Sequence, residues 1–182
     1  EAQNIVDQAT APLTVQRPQA LWSEQNPADW WAATTAAVKG LTANLRSGVK
    51  AIGLSGQMHG ATCLDKNDAV IRPAILWNDG RSALECEGMM AEMPELMNIT
   101  GNLAMPGFTA PKLEWMRTYE AENFVKVAKV LLPKDYVRLL MSGDYASDMS
   151  DSAGTLWMDV AKRDWSDDVL ALTALTRDHM PE

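Results

Sequence analysis

Basic charge, cysteine and histidine are scarce in this chain of 182 residues. It carries 16 Lys and Arg against 24 Asp and Glu, a formal charge of -8. A surface of that sign repels phosphate backbones and anionic lipid, so neither nucleic acid nor a membrane is an expected partner. Two cysteines, Cys63 and Cys86, are too few for a disulfide scaffold or a Cys-rich zinc site. Together with 11 Met they suit a reducing cytoplasmic setting. Two histidines, His59 and His179, leave no HExxH pair and no histidine cluster for a metal. No apolar run approaches the ~20 residues that span a bilayer. The GxxxxGK(S/T) loop, the GxGxxG fingerprint and the GxSxG elbow are all missing. P-loop, dinucleotide-binding and α/β-hydrolase chemistry therefore find no support.

What is present reads as globular. The chain is 47% hydrophobic and 22% charged, with 11 Gly and 9 Pro, which excludes disordered and collagen-like compositions. Its length fits one ordinary domain with a full core. The aromatic set is lopsided, seven Trp against three Tyr and two Phe. Trp offers a flat apolar face with one N–H donor, suited to core packing and to the C–H faces of sugars.

The apolar pattern predicts strands and helices in alternation, an α/β domain. Strands are expected at 5–15, 49–55, 61–64, 69–71, 74–77, 130–132 and 156–158. Helices are expected at 27–45, opened by Asn26 and Pro27, at 81–93, from Thr109, at 134–141 and at 165–175. Residues 144–154 read as a polar loop. A strand starting at Ile5 behind a turn at Asn4 suggests one arm of a hairpin.

Three stretches have the residue types for chemistry. Gly56-Gln57-Met58-His59-Gly60 follows an apolar strand, where α/β sheets tend to place ligands. Gln57 and His59 can exchange hydrogen bonds with hydroxyls, or the stretch is a strand turn with a satisfied histidine. Trp77-Asn78-Asp79-Gly80-Arg81 offers a stacking face, an amide, a carboxylate and a cation, a polyol-binding set. It reads equally as a helix start in which Asp79 caps the N-terminus. In the acidic loop, Asp144, Asp148 and Asp151 lack the spacing of a calcium loop; Asp148 and Asp151 flank a site or cap a turn.

Seven segments together carry a resemblance. They are Leu21-Trp-Ser-Glu-Gln-Asn-Pro-Ala-Asp-Trp-Trp31, Ile52-Gly-Leu-Ser-Gly-Gln-Met-His-Gly60, Pro73-Ala-Ile-Leu-Trp-Asn-Asp-Gly-Arg81, Thr100-Gly-Asn102, Gly107-Phe-Thr-Ala-Pro-Lys-Leu-Glu-Trp115, Leu132-Pro-Lys-Asp-Tyr136 and Ser147-Asp-Met-Ser-Asp-Ser-Ala-Gly-Thr155. In this order they resemble the FGGY carbohydrate kinases, and among them the bacterial xylulose kinases. Gly107–Trp115 is the general family signature. Its continuation ends in Tyr119, where the family pattern has Glu, Gln, Asn or His.

The resemblance implies a ribonuclease-H-like, actin-like fold in two domains about a cleft. Sugar binds mainly to the first domain and ATP mainly to the second. The implied reaction moves the ATP γ-phosphate to D-xylulose, giving D-xylulose 5-phosphate. Ribulose, glycerol or gluconate as substrate, or a non-catalytic sugar-binding module, are the alternatives. Met58 and His59 fall in the substrate-contacting turn. Gln57, Trp77, Asn78, Asp79 and Arg81 are weaker candidates near it.

Residues 1–182 then represent a partial N-terminal, sugar-binding domain that lacks its first strands. The family's Asp-x-Gly-Thr-Ser-like phosphate loop is not among these residues. Nor is the Gly-Gly-x-Asp-Asn-like motif that holds the general base, so no catalytic residue is assigned. ATP and Mg2+ are implied for the parent enzyme, with none expected on these residues alone. The 182 residues by themselves are expected to be inactive, and an unpaired strand at 5–15 to favour self-association, including a homo-oligomer.

Overall fold

Local chemistry decides where the first helix starts. The computed structural model describes residues 4–182. After a two-residue strand β1 (Glu24–Gln25), Asn26 accepts a hydrogen bond from the Ala28 amide at 3.1 Å. Pro27 takes the first helical position, and α1 runs Pro27–Gly40 with Trp30 buried. The expected continuation to residue 45 is broken. Leu41 is extended (ψ 152°), the Thr42 amide donates to the Asp7 carboxylate at 2.8 Å, and the chain restarts as α2 (Ala43–Gly48).

There follow β2 (Thr62–Leu64), β3 (Ala74–Ile75), α3 (Ala83–Glu92), α4 (Leu96–Thr100), α5 (Thr109–Tyr119), α6 (Ala121–Phe124) and β4 (Lys129–Leu131). The last elements are α7 (Pro133–Ser142), α8 (Met149–Ala153), β5 (Met158–Asp159), β6 (Asp164–Trp165) and α9 (Asp167–Leu172), then one 3-10 turn at Arg177–His179. Pro133 sits in the first turn of α7, and Gly143, at φ 78°, ends it in the left-handed conformation that glycine adopts without strain.

The strands pair antiparallel and short. β1 meets β3 (Glu24 opposite Ile75), β2 meets β4 (Cys63 opposite Val130), and β5 meets β6 (Met158 opposite Trp165). A single bridge between Ala61 and Ile75 links the first two pairs. Neighbouring strand residues point to opposite faces. Ala61, Cys63, Ile75 and Val130 therefore enter one core with α3 and α5 residues Cys86, Met89, Leu113 and Met116. Leu64, Ala74, Leu76 and Leu131 enter a second core with Trp30, Tyr136 and Val137 of α1 and α7. Burial raises the thiols of Cys63 and Cys86 to about 12, so both are inert packing residues at neutral pH.

Five further expectations need correction. Residues 5–15 and 49–55 are not strands. Among the described residues neither finds a strand to pair with, and Ile5, Val6, Val49 and Ile52 are exposed. A lone apolar stretch leaves its N–H and C=O groups to water. The run 69–71 contributes only an isolated bridge, Val70 to Leu64, and 156–158 forms a strand only at its end. The supposed polar loop contains α8, because the Asp148 carboxylate accepts from the Asp151 amide at 3.0 Å and caps it. No described helix is long and apolar enough to cross a membrane.

Candidate functional site

The turn at Gly56–Gly60 is held from four sides. The Gly60 amide donates to the Met58 carbonyl at 2.8 Å, closing a three-residue turn with His59 at its centre, φ 63°. A side chain at positive φ in such a turn is strained. The strain is held by bonds to both ends of the residue. The His59 carbonyl accepts from the Lys112 ammonium at 2.7 Å and from the Thr109 hydroxyl at 3.2 Å. Its Nδ1 lies 2.6 Å from the Gly154 carbonyl, and its ring packs edge-on against Phe108, centroids 4.8 Å apart.

Two glycines permit these approaches. A Cβ on Gly154 would lie 2.5 Å from the His59 ring, and one on Gly60 would lie 2.6 Å from Pro133. The turn is thereby pressed onto α7 and the α8 C-terminus at once.

A carbonyl can only accept, so His59 Nδ1 carries the proton and Nε2 remains an acceptor in the neutral ring. Burial keeps the imidazole below its ordinary pKa; the Gly154 carbonyl opposes, and the nearby Lys112 charge adds to the lowering. At neutral pH the ring therefore offers a lone pair. Met58 beside it is 44% exposed. Gln57 turns the other way, donating to Gln25 at 2.7 Å, and Gln25 also accepts from the Trp30 indole at 2.9 Å. Gln57 thus edges a groove of about 390 Å³ between residues 9–13, 54–57, α1 and α7.

The second stretch divides. Trp77 is half exposed and Asn78 exposed, whereas Asp79 and Arg81 are buried. Asp79 accepts from the Ser23 amide at 2.6 Å and from the Arg81 guanidinium at 2.9 and 2.7 Å. Arg81 also meets Glu24 at 2.8 Å and lies 3.6 Å above the Trp22 ring. Trp22 in turn packs edge-on against Trp115 at 5.3 Å. Glu24 also pairs with Arg72 at 2.6 Å. This buried network anchors the stretch that displays Trp77. The Ala61–Ile75 bridge sets it beside the Gly56–Gly60 turn.

Lys134 gathers the remaining motifs. Its ammonium reaches Asp135 at 2.6 Å, Asp151 at 2.9 Å and Asp148 at 3.0 Å. Burial works against that charge, but the three carboxylates hold it well above the ordinary lysine range. Asp148 and Asp151 are therefore cap and ion-pair groups around one lysine. Among the described residues no group of three or more His, Cys, Asp or Glu is arranged to hold a metal ion, so no Mg2+ ligand is assigned here.

The residues that hydrogen-bond to His59 do not stand out as site residues in the sequence. Lys112 and Thr109 sit in the first turn of α5, and Gly154 follows α8. Thr109 reads as a helix cap, yet its hydroxyl goes to His59 instead. The available signal was a lysine flanked by Ala110, Pro111 and Leu113 at positions that all turn out buried.

Comparison with known proteins gives the family. The model of the FGGY family of carbohydrate kinases, N-terminal domain, matches residues 1–182. Over its whole length the chain is 58% identical to the xylulose kinase of Escherichia coli K12, covering 38% of that protein. Among solved structures it resembles a xyloylose kinase from Brucella ovis, with a TM-score of 0.92 and 50% identity, covering 98% of this chain and 38% of that one. The xylulose kinase from Rhodospirillum rubrum gives a TM-score of 0.93 at 27% identity, covering 99% and 38%. The chain thus spans about 38% of the length of these relatives and shares their ribonuclease-H-like, actin-like fold. With the family model matched from end to end, the chain belongs to the FGGY carbohydrate kinases, as their N-terminal domain.

Proposed function

We propose that these residues form the sugar-binding part of an ATP-dependent kinase that phosphorylates D-xylulose. The observation that carries the reading is the His59 imidazole. Its Nδ1 proton is committed to Gly154, Nε2 is left as an acceptor, and the preceding residue Met58 is exposed. A sugar hydroxyl donating to Nε2 would be both positioned and polarised, while the half-exposed Trp77 supplies a flat face for C–H groups. The names of the relatives, xylulose kinases at 58% and 50% identity, support the choice of sugar.

The chain's own share of the reaction is orientation. Phosphoryl transfer depends on holding the attacking oxygen in line with the phosphate and on neutralising developing charge. His59 and the turn around it do the first. ATP would supply the phosphoryl group and Mg2+ the neutralising charge; the carboxylates around Lys134 are already paired and are assigned to neither. Asp79 and Arg81 support the Trp77 stretch from behind, and Gln57 couples the turn to the α1 side.

A substrate panel on the complete gene product that carries these residues tests the reading. ADP release should be fastest with D-xylulose and slower by a factor of at least ~10 in kcat/KM with D-ribulose, D-gluconate and glycerol, a discrimination of the size a hydrogen-bonding site achieves. Preference for one of the other three would overturn the choice of sugar. Sugar binding without any ADP release would favour a non-catalytic module.

A further inference from the structure

Among the described residues Lys112 is the most deeply buried charged residue, 0% exposed. It lies in the α5 face that also buries Ala110, Leu113 and Met116. A lysine placed among apolar groups loses its hydration, and that cost calls for a specific use. Its Nζ contacts two groups, the carbonyls of His59 at 2.7 Å and of Gly107 at 2.8 Å. Gly107 belongs to the loop that leads into α5, two residues before its start.

The ammonium is therefore a tie between the centre of the strained turn and the start of α5. Without it, Thr109 alone would restrain the His59 carbonyl, from 3.2 Å. The His59 backbone could then relax towards negative φ. Such a relaxation swings the ring away from the Gly154 carbonyl and moves Nε2.

We propose that Lys112 is a positioning residue for sugar recognition, acting through the His59 backbone carbonyl to fix the direction in which the imidazole presents Nε2. The inference rests on the reading of His59 as a sugar contact. Burial lowers the lysine pKa to about 7, with Asp79 opposing and Arg81 adding to the effect. A neutral amine still has two N–H groups for its two carbonyls, so the tie survives loss of the proton.

The test uses the complete gene product with Lys112→Met, His59→Ala and the double variant, measuring KM and kcat for D-xylulose, KM for ATP and the thermal midpoint. Lys112→Met is expected to raise the D-xylulose KM about tenfold, the scale of one buried hydrogen bond, with the ATP KM unchanged. In the His59→Ala background the same change should add less than about twofold, because the two residues act on one group. If His59→Ala raises KM and Lys112→Met leaves it within about twofold of wild type, the inference falls while the sugar site stands. Equal tenfold effects in both backgrounds would also overturn it. If His59→Ala leaves KM unchanged, the sugar-contact reading itself fails and takes the inference with it. Should Lys112→Met not fold, Lys112→Gln, whose shorter side chain cannot hold both carbonyls, decides: a raised D-xylulose KM with unchanged ATP KM supports the tie, and an unchanged value refutes it.

Discussion

Residues 49–55 and 56–60 adjoin in sequence and are held in opposite ways. The first stretch is apolar, yet Val49 and Ile52 are exposed, and residues 50–55 make no backbone hydrogen bond among the described residues. The second is mostly polar and small, yet His59 is held at its carbonyl, at Nδ1 and along its ring: carbonyl to Lys112 and Thr109, Nδ1 to Gly154, ring to Phe108. Apolar character alone has not made order here. Partners for the backbone have.

The contrast is sharpest where buried charge does the holding. Replacing Arg81 by Met would strand Asp79, weaken the hold on Glu24 and remove the cation over the Trp22 and Trp115 rings. The expected loss is about 3–5 kcal/mol in urea unfolding, because breaking a buried pair leaves a charge uncompensated. An effect near that of an exposed pair, under ~1 kcal/mol, would break the comparison.

Leu64 tests the paired region without charge. It is fully buried on β2 and contributes to the core shared with α1 and α7. Leu64→Ala should cost about 2–5 kcal/mol by the same measurement, from lost transfer energy plus the cavity left behind.

The pH dependence of stability follows from the groups around the turn. Lys112 titrates at about 7 in the folded chain against 10.5 ordinarily, so between those values only the unfolded chain keeps the proton. Stability should therefore rise with pH from about 7. His59, lowered by burial from 6.5, adds a rise of the same sign at lower pH. Above 9 the buried thiols of Cys63 and Cys86, raised to about 12, begin to oppose it. Urea midpoints should climb between pH 7 and 9, and Lys112→Met should flatten that climb.

Ile52→Ala is the smallest effect. Its side chain is 69% exposed, so stability of the described chain should change by no more than ~0.5 kcal/mol. A loss comparable to that of Leu64→Ala would mean that 49–55 is a packed strand after all.

Much of the fold was legible because it rests on local signals. Asn26-Pro27 before α1, Pro133 and Gly143 bounding α7, and Ser166 before α9 all act within a few residues of themselves. The strands at 5–15 and 49–55 were misread because pairing is a non-local property that an apolar pattern does not encode. Helix α8 was missed among polar residues, although Asp148 three residues before Asp151 is a cap signal.

For the candidate site, His59, Met58 and Trp77 stood out by residue type and by resemblance. Lys112 did not, because its role depends on a carbonyl 53 residues away. Gly154 likewise matters for what it lacks, a Cβ that would strike the imidazole from 95 residues along the chain.

Nitrogen-15 NMR of the imidazole side chains in the complete gene product, titrated with D-xylulose and assigned by difference against His59→Gln, addresses the sugar contact most directly. Recognition through a pinned neutral ring predicts that the His59 Nε2 resonance moves on sugar addition while Nδ1 stays protonated. Saturating D-xylulose that leaves both nitrogens of His59 unmoved would contradict it.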